Sequence, residues 1–364
     1  MNKEIIRLIT GPVSVPKSIL KTYSANYASA DIDTEFLELY NRTENKIQQI
    51  LGTQNSVIMQ TGEGMLGLWG ALKSCLKPGS KVLALCNGVF GDGIADMAES
   101  IGAEVKRFSV AYNTTQINYN EFEKAVIDFE PLMITAVHCE TPSGILNPLE
   151  GIAKIKEKHN VPLFCVDSVA SAGGAPVDAD RCAIDLCLNG SQKCFSAPPE
   201  MTMVSVSTKA WEIIEQVNYK GYDAFLPFKN AQKNFYFPNT MSWHGIAALE
   251  VASDLILNEG LENVYKKHLA AQEFCINKLS ELGLELFADK NAVKSPTVTA
   301  VMLPGNIDFA TFNQACLSKG VALAGSYGPL AGKIFRIGHM GSQSDLRLLE
   351  VGMARLGEAI AALK

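Results

Sequence analysis

Lys193 sits in the run Asp-Leu-Cys-Leu-Asn-Gly-Ser-Gln-Lys-Cys-Phe-Ser-Ala-Pro-Pro-Glu that spans 185–200. Apolar residues 186–188 lead into a Gly190-Ser191-Gln192-Lys193 turn, and Cys194, Phe195 and the rigid Pro198-Pro199 pair follow it. A lysine among apolar neighbours must find a partner or lose its proton, and a neutral amine can form a Schiff base with an aldehyde. Upstream, Phe164-Cys165-Val166-Asp167 carries a carboxylate to the end of a buried run. Such a group needs a cationic partner or a hydrogen-bonding network. It serves either as a helix cap or as the partner of a protonated pyridine nitrogen, whose positive charge makes the ring an electron sink.

Three loops add to this chemistry. Thr61-Gly62-Glu63-Gly64-Met65 places two glycines before a helix, where backbone N–H groups at the positive end of the macrodipole suit a phosphate. Neither the P-loop nor the dinucleotide spacing is present, and the same glycines also serve a plain tight turn. Asn87-Gly88-Val89-Phe90-Gly91 sets one aromatic between glycines, either tucked into the core or stacked on a flat heteroaromatic ring. In His138-Cys139-Glu140-Thr141-Pro142-Ser143-Gly144 the histidine reads as a hydrogen-bonded core residue, since no second histidine stands at ligand spacing, and no metal is assigned.

These residues need elements to hold them. After an extended arm at 11–16, which Gly11-Pro12 and Pro16 keep from being helical, a helix is expected over 33–51. Strands are then expected at 56–60, 81–86, 104–110, 132–139, 162–167, 185–188 and 202–206, with helices at 65–76, 91–101 and 149–159. The helix at 65–76 puts Met65, Leu68, Trp69, Leu72 and Leu76 on one face. Short apolar strands separated by helices predict a mostly parallel sheet covered on both faces, with the chemistry in the loops after its strands. Beyond 219–243, an aromatic-rich stretch that suits either a loop with its own small core or a dimer interface, the chain predicts helices at 244–257 and 260–282. A strand at 298–303, a helix at 308–319, a strand at 333–337 and a helix at 344–363 follow, with Ser342 and Asp345 as N-cap.

A chain of 364 residues, 47% hydrophobic and 19% charged, has the composition of a soluble globular protein of two domains. Its net charge of −6 gives no reason to expect nucleic acid or an anionic membrane as partner. Nine scattered cysteines without a CxxC read as reduced, mostly buried thiols of a cytoplasmic protein. Met1-Asn2-Lys3-Glu4 and the brief apolar run at 5–10 do not amount to a signal peptide or a membrane span.

Together these residues resemble the class V aminotransferases of the fold type I pyridoxal-phosphate enzymes, in the alanine–glyoxylate and serine–pyruvate branch. The resemblance covers nearly the whole chain. It is carried by Val166-Asp167-Ser168-Val169-Ala170-Ser171, Gly190-Ser191-Gln192-Lys193 with Ala197-Pro198-Pro199, Ser295-Pro296-Thr297-Val298-Thr299 and Phe335-Arg336-Ile337-Gly338. It implies an α/β fold with a large domain, a seven-stranded mostly parallel sheet between helices, at 21–243. An N-terminal arm at 1–20 precedes it and a smaller α+β domain at 244–364 follows. It implies pyridoxal 5′-phosphate, bound by Lys193 as a Schiff base and by Asp167 at the ring nitrogen. Phe90 and Val169 would press on the two ring faces and Thr141 would lie near the phenolic oxygen. Glu63, Gly64, Met65 and Gln192 would cradle the phosphate, joined by Thr240 from the second subunit of a homodimer. Arg336 would hold the substrate carboxylate.

The implied reaction is a ping-pong transfer of an amino group from alanine or serine to glyoxylate or pyruvate. Glu63, an anion in the phosphate cradle, departs from the family pattern, as do Glu200 and Phe237. Phosphoserine or 2-aminoethylphosphonate as substrate is the alternative, with Arg42, Lys229, Lys233 or His339 as the extra cation. A cysteine desulfurase-like lyase and a non-catalytic scaffold are alternatives of another class. The first wants a histidine before Lys193, where Gln192 stands, and a mobile cysteine, whereas Cys316 falls in a predicted helix.

Overall fold

The computed structural model describes residues 5–305 and 307–363; the first four residues of the expected N-terminal arm lie outside them. In chain order the first elements are α1 (Thr34–Leu51), β1 (Ser56–Thr61), α2 (Gly64–Cys75), β2 (Lys81–Cys86), α3 (Val89–Ser100), β3 (Glu104–Ser109) and α4 (Tyr119–Phe129). Next come β4 (Met133–Val137), α5 (Glu150–Lys158), β5 (Leu163–Asp167), β6 (Leu186–Gly190), β7 (Met201–Val206) and α6 (Thr208–Val217). Seven strands form one sheet in the order β1-β7-β6-β5-β4-β2-β3. β7 runs antiparallel to the other six strands, which are mutually parallel. The strands between the edges are buried along almost their whole length, as expected of a sheet covered by helices on both faces.

The remaining elements are α7 (Trp243–Glu259), α8 (Leu261–Glu281), β8 (Val298–Met302), α9 (Phe309–Lys319), β9 (Ala324–Gly325), β10 (Ile334–Gly338) and α10 (Leu346–Leu363). An antiparallel sheet, β8-β10-β9, packs with α8, α9 and α10 around Ala271, Cys275, Phe312, Phe335, Leu349 and Leu356. The N-terminal residues join this second core. Ile6–Arg7 pairs in parallel with Val321–Ala322, and Leu8 is fully buried. The extended arm then crosses to the first core, where the Val13 N–H donates to the Gln192 carbonyl at 3.1 Å.

Several details differ from the sequence reading. Helices α4 and α6 were not anticipated. The strand expected over 132–139 stops at Val137, and Cys139–Glu140 turns into a small ladder with Ile145–Leu146. Helix α2 buries Leu68 and Leu72 of the expected face, and a small-residue face beside them. Gly67 and Gly70 lie against Thr202 and Asp223, while Met65 is exposed. Asp345 alone caps α10, accepting from the Arg347 and Leu348 N–H groups, while the Ser342 hydroxyl donates to the Ser14 carbonyl. In the aromatic stretch, Phe225, Phe228 and Phe237 belong to this chain's own core.

Candidate active site

Strand direction brings the C-terminal ends of β1, β2, β4, β5 and β6 to one edge of the large sheet, and a cavity of about 130 Å³ opens there. Lys193 and Gln192 reach it from the turn after β6, Asp167 and Val169 from the end of β5, and Thr141 from the loop after β4. Glu63, Gly64 and Met65 border it at the start of α2, and Phe90 at the start of α3. Cys139, Leu68, Ala170 and Leu188 also line it; these were not anticipated.

Lys193 has no carboxylate in ion-pair contact among the described residues. Its Nζ donates to the Thr10 carbonyl at 2.5 Å, and burial together with the Arg336 charge lowers its pKa. The arm is shaped to allow this. A Cβ on Gly11 would stand 2.7 Å from the Lys193 Nζ, and Gly11 has φ of 100°, where glycine alone is unstrained. Asp167 accepts the Val169 N–H at 2.9 Å through Oδ1, and burial pushes its pKa up to about 6. It thus fixes the local turn and still borders the cavity. Its raised pKa marks a carboxylate that gains from a cationic partner.

Phe90 is placed by Glu140, a buried carboxyl that accepts the Gly91 N–H at 2.7 Å and the Phe90 N–H at 3.2 Å at the N-terminus of α3. Burial outweighs those bonds and pushes the Glu140 pKa up to about 8. Gly88 has to be glycine, because a Cβ there would lie 2.1 Å from the Glu140 carboxyl carbon. At the other pole Gln192 Nε2 donates to Glu63 Oε2 at 3.1 Å. His138 is a buried core residue, its Nδ1 2.9 Å from the Ser171 hydroxyl.

Two expected site residues do not line the cavity. Arg336, on β10, is 1% exposed; its Nε donates to the Gly325 carbonyl at 2.6 Å and its guanidinium lies 4.6 Å from the Tyr327 ring centre. No carboxylate pairs with it among the described residues, yet its charge acts on Lys193. Thr240 is exposed and apart from the cavity. None of the alternative cations reaches the site. Arg42 pairs with Glu250 at 3.0 Å and Lys229 with Glu215 at 2.6 Å, Lys233 is exposed, and His339 is buried between Thr299 and the Pro296 carbonyl. Cys316 is buried within α9, and Tyr23 donates to Glu200.

Residues 12–336 match the family described as Aminotransferase class-V. The chain belongs to the class-V aminotransferases. A pyridoxamine–pyruvate transaminase of Mesorhizobium japonicum is 32% identical over 98% of this chain and 92% of its own length. An alanine–glyoxylate aminotransferase of Callithrix jacchus is 31% identical, over 90% of this chain and 80% of its own. The solved alanine–glyoxylate aminotransferase of Nostoc sp. superposes with a TM-score of 0.93 at 26% identity, covering 98% of this chain and 95% of that one. The architecture is therefore fold type I, and the chain is a transaminase.

Class-V aminotransferases use pyridoxal phosphate. The ring-facing half of the cavity fits that group, with an amine for the aldehyde, a carboxylate for the ring nitrogen, and Val169 and Phe90 as apolar walls. The pole at α2 fits it less well. It offers the N–H groups of a helix end, but also the Glu63 carboxylate, and among the described residues Lys193 is the only lysine or arginine lining the cavity. Among the described residues, no helix is long and apolar enough to cross a membrane.

Proposed function

We propose that this transaminase passes an amino group from a small amino acid, alanine or serine, to glyoxylate or pyruvate in two half-reactions. The observation that carries this reading is Lys193, a buried amine with a lowered pKa that shares one cavity with Asp167. A bound pyridoxal group supplies an aldehyde that condenses with amines and a ring that accepts an electron pair. The chain supplies the rest. Lys193 would be the amine that condenses with that aldehyde and, once freed by the incoming amino group, would carry the proton from the substrate Cα across the nitrogen to C4′. The Thr10 carbonyl holds the free amine in place. Asp167 keeps the ring nitrogen positive. Arg336, buried and without a carboxylate partner among the described residues, receives the α-carboxylate in a bidentate contact. With no further lysine or arginine lining the cavity among the described residues, a small uncharged side chain suits it better than a phosphorylated one.

The test is to titrate the purified protein with alanine, serine, glutamate and phosphoserine while following the pyridoxal absorbance. Alanine or serine should convert the band to the amine form; conversion by phosphoserine or glutamate alone would overturn the substrate assignment.

A second reading, in which pyridoxamine itself is the amino donor and pyruvate the acceptor, is favoured by the Glu63 carboxylate where a phosphate is expected. The Mesorhizobium relative carries that pair in its name.

We assign the active unit as a homodimer, with Thr240 serving a second copy's site and the exposed Tyr222 and Tyr236 at the contact. The division into 1–20, 21–243 and 244–364 is retained as a proposal, although the inner face of α7 packs in the first core. The nine buried, free cysteines support the cytoplasm as its compartment.

A further inference from the structure

We infer that Glu63 and Gln192 select against a phosphate, so that the cavity takes unphosphorylated pyridoxamine and pyridoxal as exchanging substrates. This rests on the second reading above.

A helix N-terminus favours an anion, and here the chain sets its own anion beside it. Glu63 is the N-cap residue of α2, yet its side chain makes no capping bond; it turns to Gln192 and borders the cavity. Its charge is felt at Asp167, whose pKa it raises. Gln192 spends an amide N–H on Glu63, and its Oε1 is buried without a hydrogen-bond partner. The pole therefore presents acceptors and a negative charge. A phosphate dianion only accepts hydrogen bonds, whereas a hydroxymethyl group is neutral and donates one. Thr240, the residue expected from a second copy, adds no charge.

Without a phosphate anchor the ring can leave after each half-reaction. Pyridoxamine loses its C4′–N bond and ends as the aldehyde pyridoxal, while the oxo acid gains that nitrogen and ends as an amino acid. Two electrons and a proton pass from C4′ to the acceptor carbon, with Lys193 moving the proton. The water released on condensation is consumed on hydrolysis, so no outside oxidant is needed. An enzyme of this kind consumes a free vitamer.

The experiment uses the full chain freed of any bound vitamer. Pyridoxal and pyridoxal phosphate are each titrated by absorbance, and free pyridoxamine with pyruvate is assayed for pyridoxal and alanine. Expected are many equivalents of both products per chain and at least about tenfold tighter binding of pyridoxal. Glu63→Gln should narrow that preference about tenfold or more; should this variant not fold, the wild-type preference still decides. Tighter binding of pyridoxal phosphate, with pyridoxamine left unconsumed, would overturn the inference. If alanine and glyoxylate then react with resident pyridoxal phosphate, the first reading stands alone; if no pair reacts, the transaminase readings fall with it.

Discussion

Replacing Arg336 separates a substrate anchor from a structural ion pair. Its guanidinium is buried, bonded to the Gly325 carbonyl at 2.6 Å and stacked near Tyr327, with no carboxylate partner among the described residues. Burial lowers its pKa, the signature of a charge awaiting an anion. A substrate carboxylate would add two charge-assisted hydrogen bonds, each worth about 1.5–3 kcal/mol. Arg336→Lys keeps the charge but loses the bidentate fork and the stacking. The expected loss is about 2–4 kcal/mol, or roughly 30–1000-fold in kcat/KM for the amino acid. Most of it should fall on KM, because the carboxylate is held alike in ground and transition states. Arg336→Gln should cost at least as much activity without lowering the Tm of the ligand-free protein, since it removes an unpaired buried charge. Steady-state kinetics and thermal melts measure both quantities. A kcat/KM within threefold of wild type for Arg336→Lys would refute the anchor, and so would a Tm loss in Arg336→Gln large enough to explain its inactivity.

Asp167→Asn should lower kcat by about 10²–10³-fold, the equivalent of about 3–4 kcal/mol from a buried partner, with little change in KM; single-turnover absorbance measurements check this. Glu140 and Asp167 both have folded pKa values above their ordinary ones, about 8 and about 6. At these two groups the folded chain holds more protons than the unfolded one above about pH 4, so their contribution to stability falls as pH rises through 8, while His138, His268 and His339, pushed down to about 4, about 4 and about 3 by burial, act in the opposite sense below about pH 6.5. The stability difference between wild type and Glu140→Gln should therefore shift by on the order of 2–5 kcal/mol against the wild type between pH 5 and pH 8.5 in urea titrations. Gly11→Ala should crowd the Lys193 amine and add backbone strain of about 1–2 kcal/mol, slowing aldehyde capture in stopped-flow absorbance although no ionisable group is removed.

Most strands were legible because they are short apolar runs closed by a glycine, proline or polar turn; β3, Glu-Val-Lys-Arg-Phe-Ser, is the exception. Asp308 caps α9, accepting the Thr311 N–H. Helices α4 and α6 escaped because their apolar faces are narrow, Phe122, Ala125 and Val126 in the first and Ala210, Trp211, Ile213 and Ile214 in the second. Their caps were there to be read. Asn118 accepts from the Glu121 N–H and Ser207 from the Ala210 N–H. In the site, Lys193 and Asp167 stood out because apolar flanks make a charged residue conspicuous. The Thr10 carbonyl that holds Lys193 carries no such mark, since a backbone acceptor has no residue type and lies 183 positions away. Glu140 was passed over for its neighbour Thr141, because only the fold shows it beneath the first turn of α3. The aromatic stretch at 219–243 divides for a related reason, as its composition suits an interface and a local core equally; packing gives Phe225, Phe228 and Phe237 to the core and leaves Tyr222 and Tyr236 exposed.

The central claim is that Lys193 is the amine that captures the aldehyde. Borohydride reduction of the protein after incubation with pyridoxal, and separately with pyridoxal phosphate, followed by peptide mass mapping, tests it directly. One pyridoxyl group per chain is expected, located on Lys193 and absent from Lys193→Ala. Modification spread over surface lysines, or a single adduct elsewhere that survives in Lys193→Ala, would contradict it.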